Sequence, residues 1–108
     1  ARPVPLSPAG PHRMSERRPA LIVSPDRYNR THGDVIVLAV TSHLAAQESE
    51  DCLLSQEERS LAGLPRPSLI KIDKILTIEQ SLILRRLGSL PHGATERVLH
   101  KLQDFFSA

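Results

Sequence analysis

The sequence predicts a mainly β fold, a small antiparallel barrel with a helix appended at its C-terminal end. Short apolar, partly β-branched runs at Ala20 to Val23 and Val35 to Val40 are bounded by turn residues and read as strands. Ser55 to Glu58 has the S-x-x-E form of a capping box, which opens one short inserted helix. Val98, Leu99, Leu102, Phe105 and Phe106 recur at the spacing of one helical face. The order strand, strand, short helix, strand, strand, helix fits a closed antiparallel sheet with a helix laid on it.

Each element follows from local chemistry. Pro3, Pro5, Pro8 and Pro11 make residues 1–15 an irregular strand and loop, with the strand near Val4 to Ser7 restricted to a sheet edge. Ser24-Pro25-Asp26 stops the first buried strand, and a polar connection through Asn29 and Gly33 leads to the second, with which it should pair as a hairpin. After the capping box, Leu61-Ala62-Gly63 ends the short helix with glycine at C′, and Leu64-Pro65-Arg66-Pro67 forces an extended exit. Ser68 to Asp73 alternates Ile70 and Ile72 with Lys71 and Asp73, a strand with one wet face. Leu82 to Leu84 and Leu87 to Leu90, around Arg85-Arg86, supply one more strand or a bent pair, with Gly88 at a bulge or turn. Thr95 is a suitable N-cap for the last helix, whose apolar face from Val98 to Phe106 should lie on the sheet.

A chain of 108 residues, 40% hydrophobic, has room for one domain over 1–108 and one modest core. Pairing with a second copy would add stability. The single Cys52 cannot form an intrachain disulfide, and no Cys/His spacing suggests zinc, so a reduced, cytoplasmic protein is expected, with Cys52 a small apolar side chain. No apolar run is long enough to span a bilayer, and the proline-rich beginning lacks the apolar core of a secretory signal.

The formal charge of +2 does not by itself announce a nucleic-acid ligand, but its distribution is uneven. Arginines gather at positions 13, 17, 18, 27, 30, 85 and 86, and carboxylates at positions 48, 50, 51, 57 and 58. Such a surface steers an anion to one side, although scattered solvated charge is the plainer reading. Gly-rich phosphate loops, nucleophile elbows and metal-binding H-E-x-x-H signatures are missing from the sequence. Arginine, threonine, serine and a few histidines remain. That set suffices for attack of an RNA 2′-hydroxyl on its own phosphate, which needs a proton acceptor, a proton donor and cations for the charge of the phosphorane.

If the strands at 20–23 and 35–40 are antiparallel neighbours, the start of one and the end of the other share an edge. Arg18 and Thr41 then meet there, although a surface cation and a strand-end hydroxyl account for the same pair. His43, two residues beyond Thr41, is a candidate acid or base, or simply a loop residue. Lys71 and Arg85 could line the path of an RNA backbone, or belong to a solvated strand face. With only Tyr28, Phe105 and Phe106 as aromatics, base stacking should not dominate recognition.

The stretch Arg17-Arg18-Pro19-Ala20-Leu21-Ile22-Val23-Ser24-Pro25, then Tyr28-Asn29 and Val35 to Val40 with Thr41-Ser42, resembles the core motif of the MazF/PemK family. Ala62-Gly63-Leu64, Pro67 to Lys71 and Arg85 to Leu90 resemble its PemK-like branch in order and spacing. The resemblance spans residues 16–106. It implies an SH3-like barrel of the MazF/CcdB type with a C-terminal helix, a homodimer, and a type II toxin that cleaves single-stranded RNA without metal or other cofactor, leaving a 2′,3′-cyclic phosphate. It further implies a cognate antitoxin, through which alone operator DNA would be contacted, and no membrane.

Residue by residue, the family's essential arginine matches Arg18 and its essential threonine matches Thr41, with Arg17 and Ser42 beside them on the substrate side. Because an arginine keeps its proton, Arg18 is assigned to charge stabilisation and the general base stays open. The resemblance departs at the N-terminus, where the family's glycine-acidic strand and its Glu-Gln loop are not recognisable. Glu16, at a different spacing, is the nearest substitute for the loop glutamate. Two alternatives stand beside this reading: a catalytically silent MazF-like binding protein, and a gyrase-poisoning toxin of the CcdB kind, disfavoured because the chain has no tryptophan.

Overall fold

The computed structural model describes residues 2–6 and 18–107. Among the described residues five strands form one antiparallel sheet: β1 (Arg2–Leu6), β2 (Arg18–Ile22), β3 (Asp34–Thr41), β4 (Cys52–Leu53) and β5 (Leu69–Glu79), in the order β1-β2-β3-β5-β4. Within the same residues three α-helices accompany them: α1 (Asp26–Asn29), α2 (Gln56–Leu61) and α3 (His92–Phe105). The proline-bearing β1 takes a sheet edge, where a missing N–H costs no ladder bond on the open side. β2 and β3 pair antiparallel as expected, Ala20 opposite Ala39 and Ile22 opposite Val37.

Alternation along these strands fills both faces of the sheet. On one face Leu21, Leu38, Val40, Ile70 and Ile72 pack beneath Leu54, Ala62, Leu64, Leu90, Ala94 and Val98. On the other, Ala20, Val35 and Val37 pack with Ile22, Ile78 and Ile83. Each fully buried leucine or isoleucine contributes about 2 kcal/mol, so the larger cluster dominates. The capping box forms as expected: Glu58 N donates to Ser55 Oγ at 3.1 Å, and Ser55 N donates to Glu58 Oε1 at 2.9 Å. Gly63, with φ +75°, takes the left-handed conformation at C′.

Four expectations are corrected. β5 runs to Glu79 rather than stopping at Asp73, and its first half has no wet face, because Leu69, Ile70, Lys71 and Ile72 are all buried. A bulge explains both facts. The register passes from Leu38–Ile75 to Val40–Ile70, so β5 carries extra residues here, bends, and turns Lys71 inward. The segment from 82 to 90 is not a strand either. A 3-10 turn (Gln80–Leu82) ends β5, and the chain then packs irregularly on the end of α2, where Ser89 N donates to Leu61 O at 3.4 Å.

The remaining two corrections concern α3. It begins at His92 behind Pro91, not at a cap on Thr95, since a proline N-terminal to a helix gives up only an N–H without an intrahelical partner. Its buried residues are Ala94 and Val98, with Leu102 partly covered, whereas Leu99, Phe105 and Phe106 are exposed. Among the described residues no helix is long and apolar enough to cross a membrane.

Candidate active site

The β2–β3 register fixes the site. Ala20 faces Ala39, and continuing that register outward leads from Arg18 toward Thr41, which line the same cleft. Pro19 holds the backbone between Arg18 and the buried Ala20. Arg18, Thr41 and Ser42 line one cleft of about 400 Å³, closed on the far side by Leu64, Pro65, Arg66 and the buried Ser68. Across the pair lies a more apolar cavity of about 340 Å³, lined by Ala20, Val37, Ala39, Lys74 and Leu76 as well as by Arg18 and Thr41. No carboxylate lines either space among the described residues.

Thr41 is oriented by its own neighbours. Its Oγ1 accepts the backbone N–H of His43 at 3.1 Å, which leaves the hydroxyl proton to be donated outward. His43 itself is exposed and contributes that N–H rather than a cleft wall.

Lys71 is not a surface cation. It is 6% exposed, and its Nζ donates to Asp51 Oδ2 at 2.5 Å and to Ala46 O at 2.9 Å. Hydrogen bonding to Asp51 raises the lysine pKa against the opposing effect of burial. For Asp51, burial pushes the carboxyl upward, but Lys71 and the N–H groups of Glu48 and Ile72 outweigh it, and the net shift is downward. Lys71 lines the apolar cavity together with Arg18 and Thr41, with its ammonium turned to Asp51 and Ala46 O. Glu48, Glu50 and Asp73 bring carboxylate oxygens within 4.8 Å of one another nearby, a spacing open to a cation, yet Glu48 Oε1 already lies 3.8 Å from the Lys71 ammonium.

Arg85 lines a neighbouring cleft of about 540 Å³ with Pro19, Gly63, Leu64, Leu84 and Leu87. Glu16 and Arg17 lie outside the described residues. Tyr28 and Asn29, part of the same motif, stand at the opposite end of the hairpin and brace it. Tyr28 OH donates to Asp34 Oδ1 at 2.9 Å, Asn29 Nδ2 to Ser24 O at 3.1 Å, and Gln80 Nε2 to Asn29 O at 2.7 Å. The sequence reading missed Arg66 and Ser68 as cleft residues. Its one clue was an arginine set between two prolines.

A guanidinium and a hydroxyl thus share one cleft of a β-rich fold, and among the described residues no carboxylate lines it, a donor set suited to an anionic ligand. The sequence profile of the PemK-like, MazF-like toxin of type II toxin–antitoxin systems matches residues 3–106. The endoribonuclease MazF6 of Mycobacterium tuberculosis and the endoribonuclease MazF2 of Mycobacterium bovis are each 30% identical over 96 residues, 86% of this chain and 81% of theirs. The chain belongs to this PemK-like, MazF-like toxin family.

Solved structures agree in fold. The Mycobacterium tuberculosis toxin MazF-mt6 superposes with a TM-score of 0.78 at 17% identity, covering 98% of this chain and 96% of that one. A MazE–MazF structure from Deinococcus radiodurans gives 0.76 at 23% identity, covering 98% and 91%. The mainly β, SH3-like barrel type with helices is thereby shown, and the family assignment favours the MazF-like reading over the gyrase poison.

Proposed function

We propose that this chain is a toxin that cleaves single-stranded RNA without a metal, through attack of a 2′-hydroxyl on the adjacent phosphate to leave a 2′,3′-cyclic phosphate. The observation that carries the reading is that Arg18 and Thr41 line one cleft in which, among the described residues, no carboxylate takes part. The Arg18 guanidinium offers paired donors to the oxygens that gain charge in the phosphorane, where electrostatic stabilisation counts most. Thr41, its oxygen held by the His43 N–H, directs its proton at a non-bridging oxygen and holds the scissile group in line. The general base is left open.

The mycobacterial relatives bear the name endoribonuclease, which supports the reading. One similar structure is titled an endoribonuclease in complex with its cognate antitoxin, and a comparable partner is proposed here. An acidic, disordered segment laid over the arginine-rich edge would occupy the cations that RNA phosphates need. A second copy of the chain belongs to the same proposal. Exposed apolar side chains at Leu76 and Phe106 supply surface of the kind that association covers.

The test is RNA cleavage in the presence of EDTA by the antitoxin-free protein, by Arg18→Ala and by Thr41→Ala, with the new ends analysed for cyclic phosphate. Cleavage by the parent alone, with cyclic ends, is the expected result. A folded parent protein that leaves RNA intact would replace this reading with the silent binding module.

A further inference from the structure

The cleft that holds Arg18 and Thr41 does not end at its own wall. Pro19, Leu64 and Pro65 line both it and the Arg85 cleft, so the two adjoin along a shared rim, a groove in two parts. At about 400 and 540 Å³, each part is within the range of small-ligand sites, ~300–1,000 Å³. Among the described residues no carboxylate lines either part.

The wall between the two parts is braced. Leu64 N donates to Arg59 O at 2.8 Å, and the Arg59 guanidinium reaches Pro65 O at 3.2 Å. Ser68 Oγ donates to Arg66 O at 2.8 Å, while Pro65 and Pro67 restrict the backbone on either side of Arg66. The Arg66 guanidinium itself takes no partner among the described residues and is exposed on this rigid mount. Further along, Arg86 spends its guanidinium on Gly88 O and Ser89 Oγ, whereas Arg85 lines the groove. Between them lies an apolar floor of Leu64, Leu84 and Leu87.

We propose that this groove carries the RNA strand away from the scissile bond, with Arg66 binding the phosphate next to the one at Arg18 and Arg85 a phosphate further on. The sugar and base between these phosphates rest on the leucine floor. The ligand class is a single-stranded polynucleotide backbone, read by charge rather than by sequence. This rests on the ribonuclease reading and adds a binding direction to it. Arg66 is a positioning residue: it holds the strand while Arg18 and Thr41 meet the reacting atoms.

The experiment compares the parent protein, Arg66→Ala and Arg66→Lys on an RNA oligonucleotide with one scissile site, across a range of salt. A second substrate carries a neutral methylphosphonate at the phosphate adjoining the scissile one. Arg66→Ala is expected to raise KM about tenfold with kcat within about twofold, and Arg66→Lys to recover most of the loss. The slope of log affinity against log salt should fall by about 0.7, one single-strand phosphate contact. Methylphosphonate should reproduce the KM effect in the parent and add nothing in Arg66→Ala. An unchanged KM and salt slope, or a methylphosphonate effect that simply adds to that of Arg66→Ala, would overturn the proposal. Binding of a 2′-O-methylated, uncleavable oligonucleotide separates this outcome from failure of the ribonuclease reading. With no cleavage by the parent, weaker and less salt-dependent binding by Arg66→Ala still supports the groove, and unchanged binding sinks it.

Discussion

Arg18 and Thr41 line one cleft at the end of β2 and β3, beyond the pair Ala20–Ala39. Their relation depends on strands anchored by the buried Ala20, Leu21, Leu38 and Val40, so it is set before any ligand arrives. Arg18→Lys separates charge from geometry. Lysine keeps the cation but loses the planar fork, and kcat should fall on the order of ten- to a hundredfold, less than for Arg18→Ala. Because Arg18 is exposed, the melting temperature should move by no more than about 2 °C. Single-turnover cleavage and a thermal melt check the two parts.

Glu58 links α2 to α3 through Arg97, with Nη1 to Oε2 at 3.0 Å and Nη2 to Oε1 at 2.9 Å. The Arg97 guanidinium, with help from the capping box, holds the Glu58 carboxyl at about 2 against an ordinary 4.5. A carboxylate whose pKa is lowered by folding lends stability that is complete above its unfolded value and is lost as pH falls through the folded one. The loss should therefore run from about pH 4.5 down to about 2. With the Arg97 side chain 40% exposed, about 1–2 kcal/mol is expected. Urea unfolding at pH 6 and pH 3 should show the difference, and Arg97→Ala should flatten it.

Asp51 and Lys71 neutralise each other in the bend of β5. Asp51→Asn leaves the ammonium facing a neutral amide and should lower the melting temperature by roughly 5–10 °C, because a buried charge has lost its partner. Asp51→Leu combined with Lys71→Met removes both charges and should recover much of the loss. A double variant no better than Asp51→Asn would show that the packing around the pair, rather than its charge, sets the stability.

Gly63 and Gly88 let α2 and the 83–90 segment touch backbone to backbone. A Cβ on Gly88 would lie 2.6 Å from the Ala62 carbonyl carbon, and one on Gly63 would meet the Leu87 carbonyl at a positive φ. Gly88→Ala should cost about 1–3 kcal/mol, and Gly63→Ala somewhat more for its left-handed backbone. Denaturant titration gives both values, and RNA affinity should fall in parallel as the Arg85 groove shifts.

The parts of the fold legible in the sequence were those set by neighbouring residues. β2 and β3 are apolar runs with turn residues at their ends, and α2 carries its cap and its terminating glycine within the one stretch from Ser55 to Gly63. Arg18 and Thr41 were readable because an antiparallel hairpin aligns its open ends. Alternation at Ile70, Lys71, Ile72 and Asp73 reads the same whether the second face is wet or covered. Only Asp51, twenty positions away, decides that Lys71 is inside. Leucines at 84, 87 and 90 suggested a strand, but Leu87 and Leu90 pack on the core beside Ala62 and Leu84 stays exposed, with no strand over 84–90. Arg66 joins the site through the return of the loop before β5, a contact that no local pattern encodes.

The Asp51–Lys71 pair also gives the site a foundation at its back. The chain leaves the sheet at Thr41, makes an excursion through residues 42–51, and is fastened to β5 by Asp51 and Ala46 O on Lys71 before re-entering as β4. The Thr41 hydroxyl thus sits at the root of a loop whose far end carries a charged clasp. Acid that protonates Asp51 is expected to open this clasp and loosen the loop behind Thr41 while the leucine and isoleucine core keeps its packing.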